Sequence, residues 1–437
     1  MRIITGLCAV VPSLLATPAC RDSASAPPAA GATAIERSAR TPSNLAPTEP
    51  SALAAALGKG LPIPKALVPG GDCPPPPPDA AQDIAAQAQA TVPLQEGLTL
   101  AYQWMLTPQE EYECLIQVKK VDADGILTTA SCDAPGGRGP FLRRVCRADL
   151  RSAGMLHTLY GAVKVIGASG EEEPETIIGA TAFSLSTEEF AQLKRTGRLT
   201  HHYVELSSPN ELAKDGVGEL RVEGRETMDV ILNDRAVTIP VIKTRGAMKY
   251  WIRGERLETQ DTLIVLDDER FPLIIDQQQS NEKVASRIYF SKITHPSWHR
   301  GVGASGGGPL AGGGSPLEGG LLENKRVDVY GIYFDFNSDR IRPESEPVLE
   351  EIGSIMKRHP DWRLSIDGHT DNIGGNGPYN LELSRRRSEA VRRALVDRFG
   401  VSADRLSSGG HGAASPKDTN DTPEGRARNR RVELVRL

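Results

Sequence analysis

The sequence predicts a multidomain chain, with a β-rich, sandwich-like middle domain and a C-terminal α+β sandwich of β-α-β-α-β order. Three observations lead there. At 437 residues the chain exceeds what one ordinary core organises. Its centre carries short runs in which apolar and polar residues alternate, and its last quarter switches between that period of two and a helical period. Plentiful Gly (43) and Pro (32) with only 5% aromatic residues favour β-structure joined by long linkers. The formal net charge of -5 gives no global pull toward nucleic acid or anionic lipid. No apolar run reaches the roughly 18 residues that a membrane-spanning helix needs.

The elements follow in chain order. Residues 1–20 have the layout of an export signal: Arg2, an apolar stretch from Ile3 to Leu15, and small residues before Cys20. Ala19 directly before Cys20 resembles the end of a bacterial lipoprotein signal, although Thr17 stands where that pattern has Leu. The resemblance implies acylation of Cys20 and an outer-membrane lipid anchor; ordinary signal cleavage is the alternative. Residues 21–90 are rich in Ala, Pro and Ser and include the run Pro74 to Pro78, which predicts a disordered spacer with a short helix over Ala80 to Ala90. Cys73, Cys114, Cys132 and Cys146 form an even set in an exported chain, which predicts two disulfides with all three pairings open. No CxxC or nearby His pair supports zinc instead.

Residues 91–300 read as many short strands, which indicate a β-sandwich or a small barrel. Leu115 to Val118 and Ile126 to Thr129 flank Asp124-Gly125, a hairpin signature in which Gly supplies positive φ. Further strands are expected at Gly218 to Val222, Met228 to Leu232, Ala236 to Ile239, Met248 to Ile252, Thr262 to Leu266 and Leu273 to Ile275, with Asn233-Asp234 as a turn. Thr187 to Lys194 is the one clear helix, capped by Ser186 or Thr187. Arg221, Glu223, Arg225 and Glu226 interrupt any lipid-facing stripe, which argues against a membrane barrel. Residues 301–320, dominated by Gly, Ser, Ala and Pro, predict a flexible linker that lets two folded parts move independently.

In residues 321–437 the alternation from Val327 to Phe334 predicts a strand, and Pro343 opens a helix. Val348, Leu349, Ile352, Ile355 and Met356 fall on one face of that helix. Arg363 to Ile366 is a strand ending at Gly368-His369-Thr370-Asp371-Asn372, before a Gly-rich loop. A helix over Asn380 to Phe399, a short helix over Glu424 to Arg428 and a final strand over Val432 to Leu437 complete the domain.

Four segments carry a family resemblance: Phe334-Asp335-Phe336-Asn337-Ser338, Gly368 to Asn372, Leu383-Ser384-Arg385-Arg386-Arg387-Ser388, and Asn420 to Arg431. Together they resemble the OmpA C-terminal-like domains, which bind peptidoglycan, over roughly Val327 to Leu437. Ser388, where the family has Ala, and a loop Gly374 to Gly377 about one residue longer are the departures. The resemblance implies a periplasmic domain that grips a diaminopimelate stem peptide and tethers the outer membrane or an envelope complex to the cell wall. It assigns Asp371 and Arg387 to the ligand, with Asn337, Asn380 and Arg430 lining the groove. The chemistry agrees. A carbon bearing both an ammonium and a carboxylate calls for a fixed anion and a fixed cation, and Arg, unlike Lys, meets a carboxylate as a two-pronged fork.

Other chemistries find less support. His201 and His202 with Glu205 do not make a zinc motif, since neighbours in a strand face opposite ways. No GxSxG, phosphate loop or Cys nucleophile stands out, so neither a catalytic residue, a metal nor a cofactor is assigned. Residues 321–437 hold 20 Lys and Arg against 19 Asp and Glu, a net of +1, which gives no basic face for nucleic acid. His369 reads as a hydrogen-bonding structural residue. The chain is therefore expected to be a tether, with the middle domain as a platform for another envelope protein. The alternative is a wall-anchored enzyme or ligand carrier with its activity in residues 91–300.

Overall fold

The computed structural model describes residues 72–107, 110–132, 138–157, 165–166, 170–208, 211–252, 255–281, 285–294, 315–335, 337–373 and 377–437, and every structural statement below concerns these. The expected signal, Cys20, the first part of the spacer and residues 301–314 of the linker lie outside them.

Composition predicts a spacer to residue 90, but the folded body already includes residue 73. Cys73 is bonded to Cys146, with Cα atoms 5.4 Å apart. Helix α1 (Ala80–Gln87) is held by Arg151, 2.9 Å from Asp79 and 2.7 Å from Asp83. It is also held by buried Arg147, which donates to Gln87 Oε1 at 2.6 Å. Val92 and Leu94 then enter the main core.

Strands β1 (Thr99–Thr107), β2 (Glu110–Asp122), β3 (Gly125–Cys132) and β4 (Arg138–Cys146) form an antiparallel meander. The Asp-Gly turn sits where the sequence puts it. Gly125 has φ +145°, and a Cβ there would lie 2.0 Å from the Val145 carbonyl oxygen. The second disulfide joins Cys114 and Cys132, directly opposite each other on β2 and β3. Short pieces follow: α2 (Arg147–Ser152), β5 (Met155–His157), β6 (Val165–Ile166), β7 (Glu172–Glu173), β8 (Glu175–Thr176) and β9 (Ala180–Thr181). Helix α3 (Thr187–Thr196) is capped by Ser186, whose hydroxyl accepts from the Glu189 amide while the Glu189 side chain returns to the Ser186 amide. Strands β10 (Arg198–Ser208), β11 (Glu211–Leu232), β12 (Arg235–Ile252), β13 (Glu255–Leu266), β14 (Ile274–Ser280) and β15 (Ala285–Thr294) complete the domain.

Two expectations are corrected here. The strands do not bond as two stacked sheets. Thirteen of them make one sheet, in the order β8-β4-β3-β2-β1-β15-β14-β13-β12-β11-β10-β5-β9, and β6 pairs only with β7. That sheet curls until Ile231 and Leu232 of β11 pair in parallel with Lys292 and Ile293 of β15, closing strands β11 to β15 into a ring. The separate strands expected around residues 218–222 and 228–232 are one strand of 22 residues. The charged run between them continues the ladder through a register shift at Val222/Gly224, with its side chains toward solvent.

In the C-terminal domain strands and helices alternate, and the strand expected over Val327 to Phe334 ends at Val329. Its strands are β16 (Arg326–Val329), β17 (Leu364–His369), β18 (Leu406–Gly412) and β19 (Val432–Arg436), bonded in the order β16-β19-β17-β18. Helices α5 (Glu346–Arg358) and α6 (Gly377–Asp397) supply the core-facing residues, and α7 (Pro423–Asn429) leads into β19. The predicted stripe Val348, Leu349, Ile352, Ile355 and Met356 is wholly buried. An unexpected helix, α4 (Pro316–Glu323), occupies the end of the predicted linker, capped by Ser315 and burying Leu317 and Leu321 in this core.

The two folded parts are docked, which differs from the independent motion that the Gly-rich linker predicts. Tyr333 packs with Ala101 and Leu115 of the middle domain. Asp234, at the β11–β12 turn, accepts from the Tyr330 and Gly331 amides at 2.5 and 3.2 Å.

Candidate functional site

The site lies where β17 ends and α6 begins. Helix α6 rests almost flush on the strand ends because two glycines permit it. A Cβ on Gly368 would fall 2.3 Å from the Ser384 carbonyl oxygen, and one on Gly410 would fall 2.4 Å from the Arg385 nitrogen. Beyond β17 the Thr370 amide bonds to the Gly412 carbonyl at 3.0 Å, which carries Asp371 onto the rim.

Asp371 is 7% exposed. Its Oδ1 accepts from the Ile373 amide at 2.9 Å, and its Oδ2 accepts from Arg430 Nη1. Asn380 is buried and donates to the Asp371 backbone carbonyl at 3.2 Å, so it holds the chain that bears the carboxylate. Arg387 is half-buried on α6. Its Nε donates to the Ser338 carbonyl at 3.0 Å, and its guanidinium lies 4.9 Å from the centre of the Phe334 ring. On the same helix Glu382 pairs with Arg385 and Glu389 with Arg392. Asn337 is exposed with φ +52°, in the turn whose carbonyls receive Arg387.

The Arg430–Arg431 pair divides its labour. Arg430 turns to Asp371, while Arg431 donates to Asp328 at 2.9 Å. His369 departs from its expected role: its ring nitrogens have no hydrogen-bond partner among the described residues, and the ring stacks on His411 with centroids 4.9 Å apart. Burial, with Arg431 and His411 nearby, pushes its pKa down to about 4.

The sequence reading missed a contribution from the middle domain. Glu111 of β2 lies 2.9 Å from Arg430 Nη2 through Oε1, and its Oε2 accepts from Arg426 Nε at 2.8 Å. Glu113, on the same face of β2, accepts from Lys292 at 2.9 Å and from Gln103 at 3.0 Å. Burial alone would raise the Glu113 pKa; Lys292 and Arg430 outweigh it and bring it to about 2. Burial likewise opposes the charge on Arg430, but Glu111, Asp371 and Glu113 hold its pKa above the ordinary Arg value. The alternation of Glu111 and Glu113 about Tyr112 was a visible signal of an acidic strand face. Nothing local linked it to Arg426 and Arg430, more than 300 positions later.

This end of the domain therefore carries a carboxylate at a strand end, held by Arg430 and the Ile373 amide, and the Arg387 guanidinium on the neighbouring helix. The domain bearing these groups is an OmpA-family domain, and residues 333–430 match that family. Among relatives, outer membrane porin F of Pseudomonas aeruginosa is 39% identical over 102 residues, 23% of this chain and 29% of that protein. The peptidoglycan-binding protein ArfA of Mycobacterium tuberculosis is 40% identical over 104 residues, 24% of this chain and 31% of that protein. The chain thus spans about three tenths of the length of these curated relatives. A solved structure, the peptidoglycan-associated lipoprotein from Burkholderia pseudomallei, is 34% identical with a TM-score of 0.23, covering 24% of this chain and 88% of that one. No described helix is long and apolar enough to cross a membrane.

Proposed function

We propose that the C-terminal domain binds peptidoglycan non-covalently, with Asp371 receiving the ammonium and Arg387 the carboxylate of a diaminopimelate stem. The protein then acts as a non-enzymatic tether between the cell wall and the outer membrane or an envelope complex, with the docked middle domain as the platform for another envelope protein. A lipid on Cys20 belongs to the same reading, and the intact mass of the mature N-terminus tests it directly.

The observation that carries the proposal is the preparation of Asp371. Its backbone is pinned by Asn380 and one carboxylate oxygen is oriented by the Ile373 amide. That leaves Oδ2 as the oxygen a ligand ammonium takes, in exchange for Arg430. Charge-assisted bonds of this kind contribute about 1.5–3 kcal/mol each, so losing one partner weakens binding by about one to two orders of magnitude.

Co-sedimentation of the full chain with purified sacculi is the test. Asp371→Ala and Arg387→Ala are each expected to lose most retention. Equal retention of correctly folded variants removes the assignment.

A further inference from the structure

We propose that Glu111, a residue of the middle domain, is a positioning residue of the C-terminal ligand site, which is therefore composite. This rests on the reading of Asp371 as the ammonium acceptor and extends it to a domain that the OmpA-family match does not include.

Arg430 serves two carboxylates that come from two domains. Nη1 donates to Asp371 Oδ2, while Nη2 lies 2.9 Å from Glu111 Oε1. An ammonium arriving at Oδ2 has to displace Nη1. The Arg430 side chain is only 19% exposed, and a guanidinium stripped of its counter-charge in such surroundings opposes that exchange strongly. Glu111 removes the obstacle by remaining as a partner throughout.

It is held ready to do so. Its side chain is 2% exposed, and its other oxygen is gripped by Arg426, which is itself tied to the Asn420 carbonyl at 2.9 Å. Glu111 cannot swing away to follow solvent, so Arg430 has a fixed second anchor. Without Glu111, Asp371 is the carboxylate left in direct ion-pair contact with Arg430 among the described residues, and that pair competes with the ligand.

Co-sedimentation of full-length variants with diaminopimelate-containing sacculi tests this. Glu111→Gln is expected to weaken binding about tenfold. In an Asp371→Asn background the same change is expected to add nothing, because the carboxylate that Arg430 must release is already gone. Glu111→Asp, which keeps the charge, is expected to restore most of the binding. Asp234→Asn weakens a different interdomain contact, the one to the Tyr330 and Gly331 amides, without touching Glu111, Arg426 or Arg430, and is expected to bind within about twofold of wild type while melting lower.

Wild-type or tighter binding by folded Glu111→Gln overturns the proposal. So does an equal loss in Asp234→Asn, which would make the effect one of docking. If Asp371→Asn itself binds like wild type, the reading of the site fails, and the role of Glu111 fails with it by a separate route.

Discussion

Two ionic clusters, one in each domain, hold their charges in opposite ways. In the middle domain Arg143 of β4, His157 of β5 and Glu175 of β8 are all buried. Arg143 Nε donates to Glu175 at 2.7 Å, Nη1 to the His157 carbonyl at 3.0 Å, and Nη2 meets His157 Nε2 at 2.9 Å. His157 Nε2 also lies 3.2 Å from Glu175 Oε1, and its Nδ1 lies 3.1 Å from the Val204 carbonyl, so the ring is tied on both sides. On α6 of the C-terminal domain, by contrast, Arg385 and Glu382 pair at 2.7 Å with more than half of each side chain in water. The first cluster locks β4, β5 and β8 at mutual positions that no turn dictates. The second decorates a helix already fixed by its apolar face. Disulfides follow the same division: both lie in the middle domain, closing loops across 73 and 18 residues, where local pattern constrains the chain least.

The contrast is sharpest if Glu175 is removed. Burial raises the Glu175 pKa, but Arg143 and His157 overcome that and hold it at about 2, so its charge persists at any pH where the protein is used. Glu175→Ala strands a buried guanidinium, which costs about 3–5 kcal/mol. Calorimetry should show a large drop in melting temperature. A change of a degree or two would mean that the knot is not a support of the fold.

Asp149 tests the middle domain from the other side, because this buried carboxylate has no cation. Its Oδ1 accepts from the Gly179 amide at 3.0 Å, and its Oδ2 finds no partner among the described residues. Burial pushes its pKa up to about 6, and the Gly179 bond only partly opposes the shift. A carboxyl whose folded pKa is raised favours the folded state at low pH, and that advantage is lost as pH rises from about 4 through about 6. Asp149→Asn keeps an acceptor but cannot ionise. It should match wild type near pH 4 and exceed it by up to about 3 kcal/mol above pH 6. Parallel denaturation curves at the two pH values check this, and a constant difference would break it.

The same contrast explains what could be read without coordinates. The C-terminal domain was legible because its signals are local: the stripe from Val348 to Met356 and the strand running into Gly368 and His369 form as expected. In the middle domain the Asp-Gly turn and the Ser186 cap were equally local and equally legible. The closure of β11 onto β15 was not, because pairing Leu232 with Ile293 depends on the curvature of a whole sheet. Residues 72–90 misled for a different reason. Their composition is that of a spacer, but Cys73, Arg147 and Arg151 recruit them from outside the segment. At the proposed site, Asp371, Asn380, Arg387 and Arg430 came from the motif pattern, whereas the contact of Glu111 with Arg430 could come only from the docking of two domains.

The smallest expected effect belongs to Glu382→Ala. The Glu382–Arg385 pair sits one turn from the proposed site and has good two-pronged geometry, with bonds of 2.9 and 2.7 Å. Its location is what limits it. Water and salt screen both groups, and ordering two long side chains offsets most of the attraction. The helix beneath is already committed by buried Leu383, Val391 and Leu395. No measurable shift in melting temperature is expected, and retention on sacculi should be unchanged. A clear loss of retention with normal stability would mean that Glu382 restrains Arg385 for the ligand. The outward face of α6 would then be part of the recognition surface.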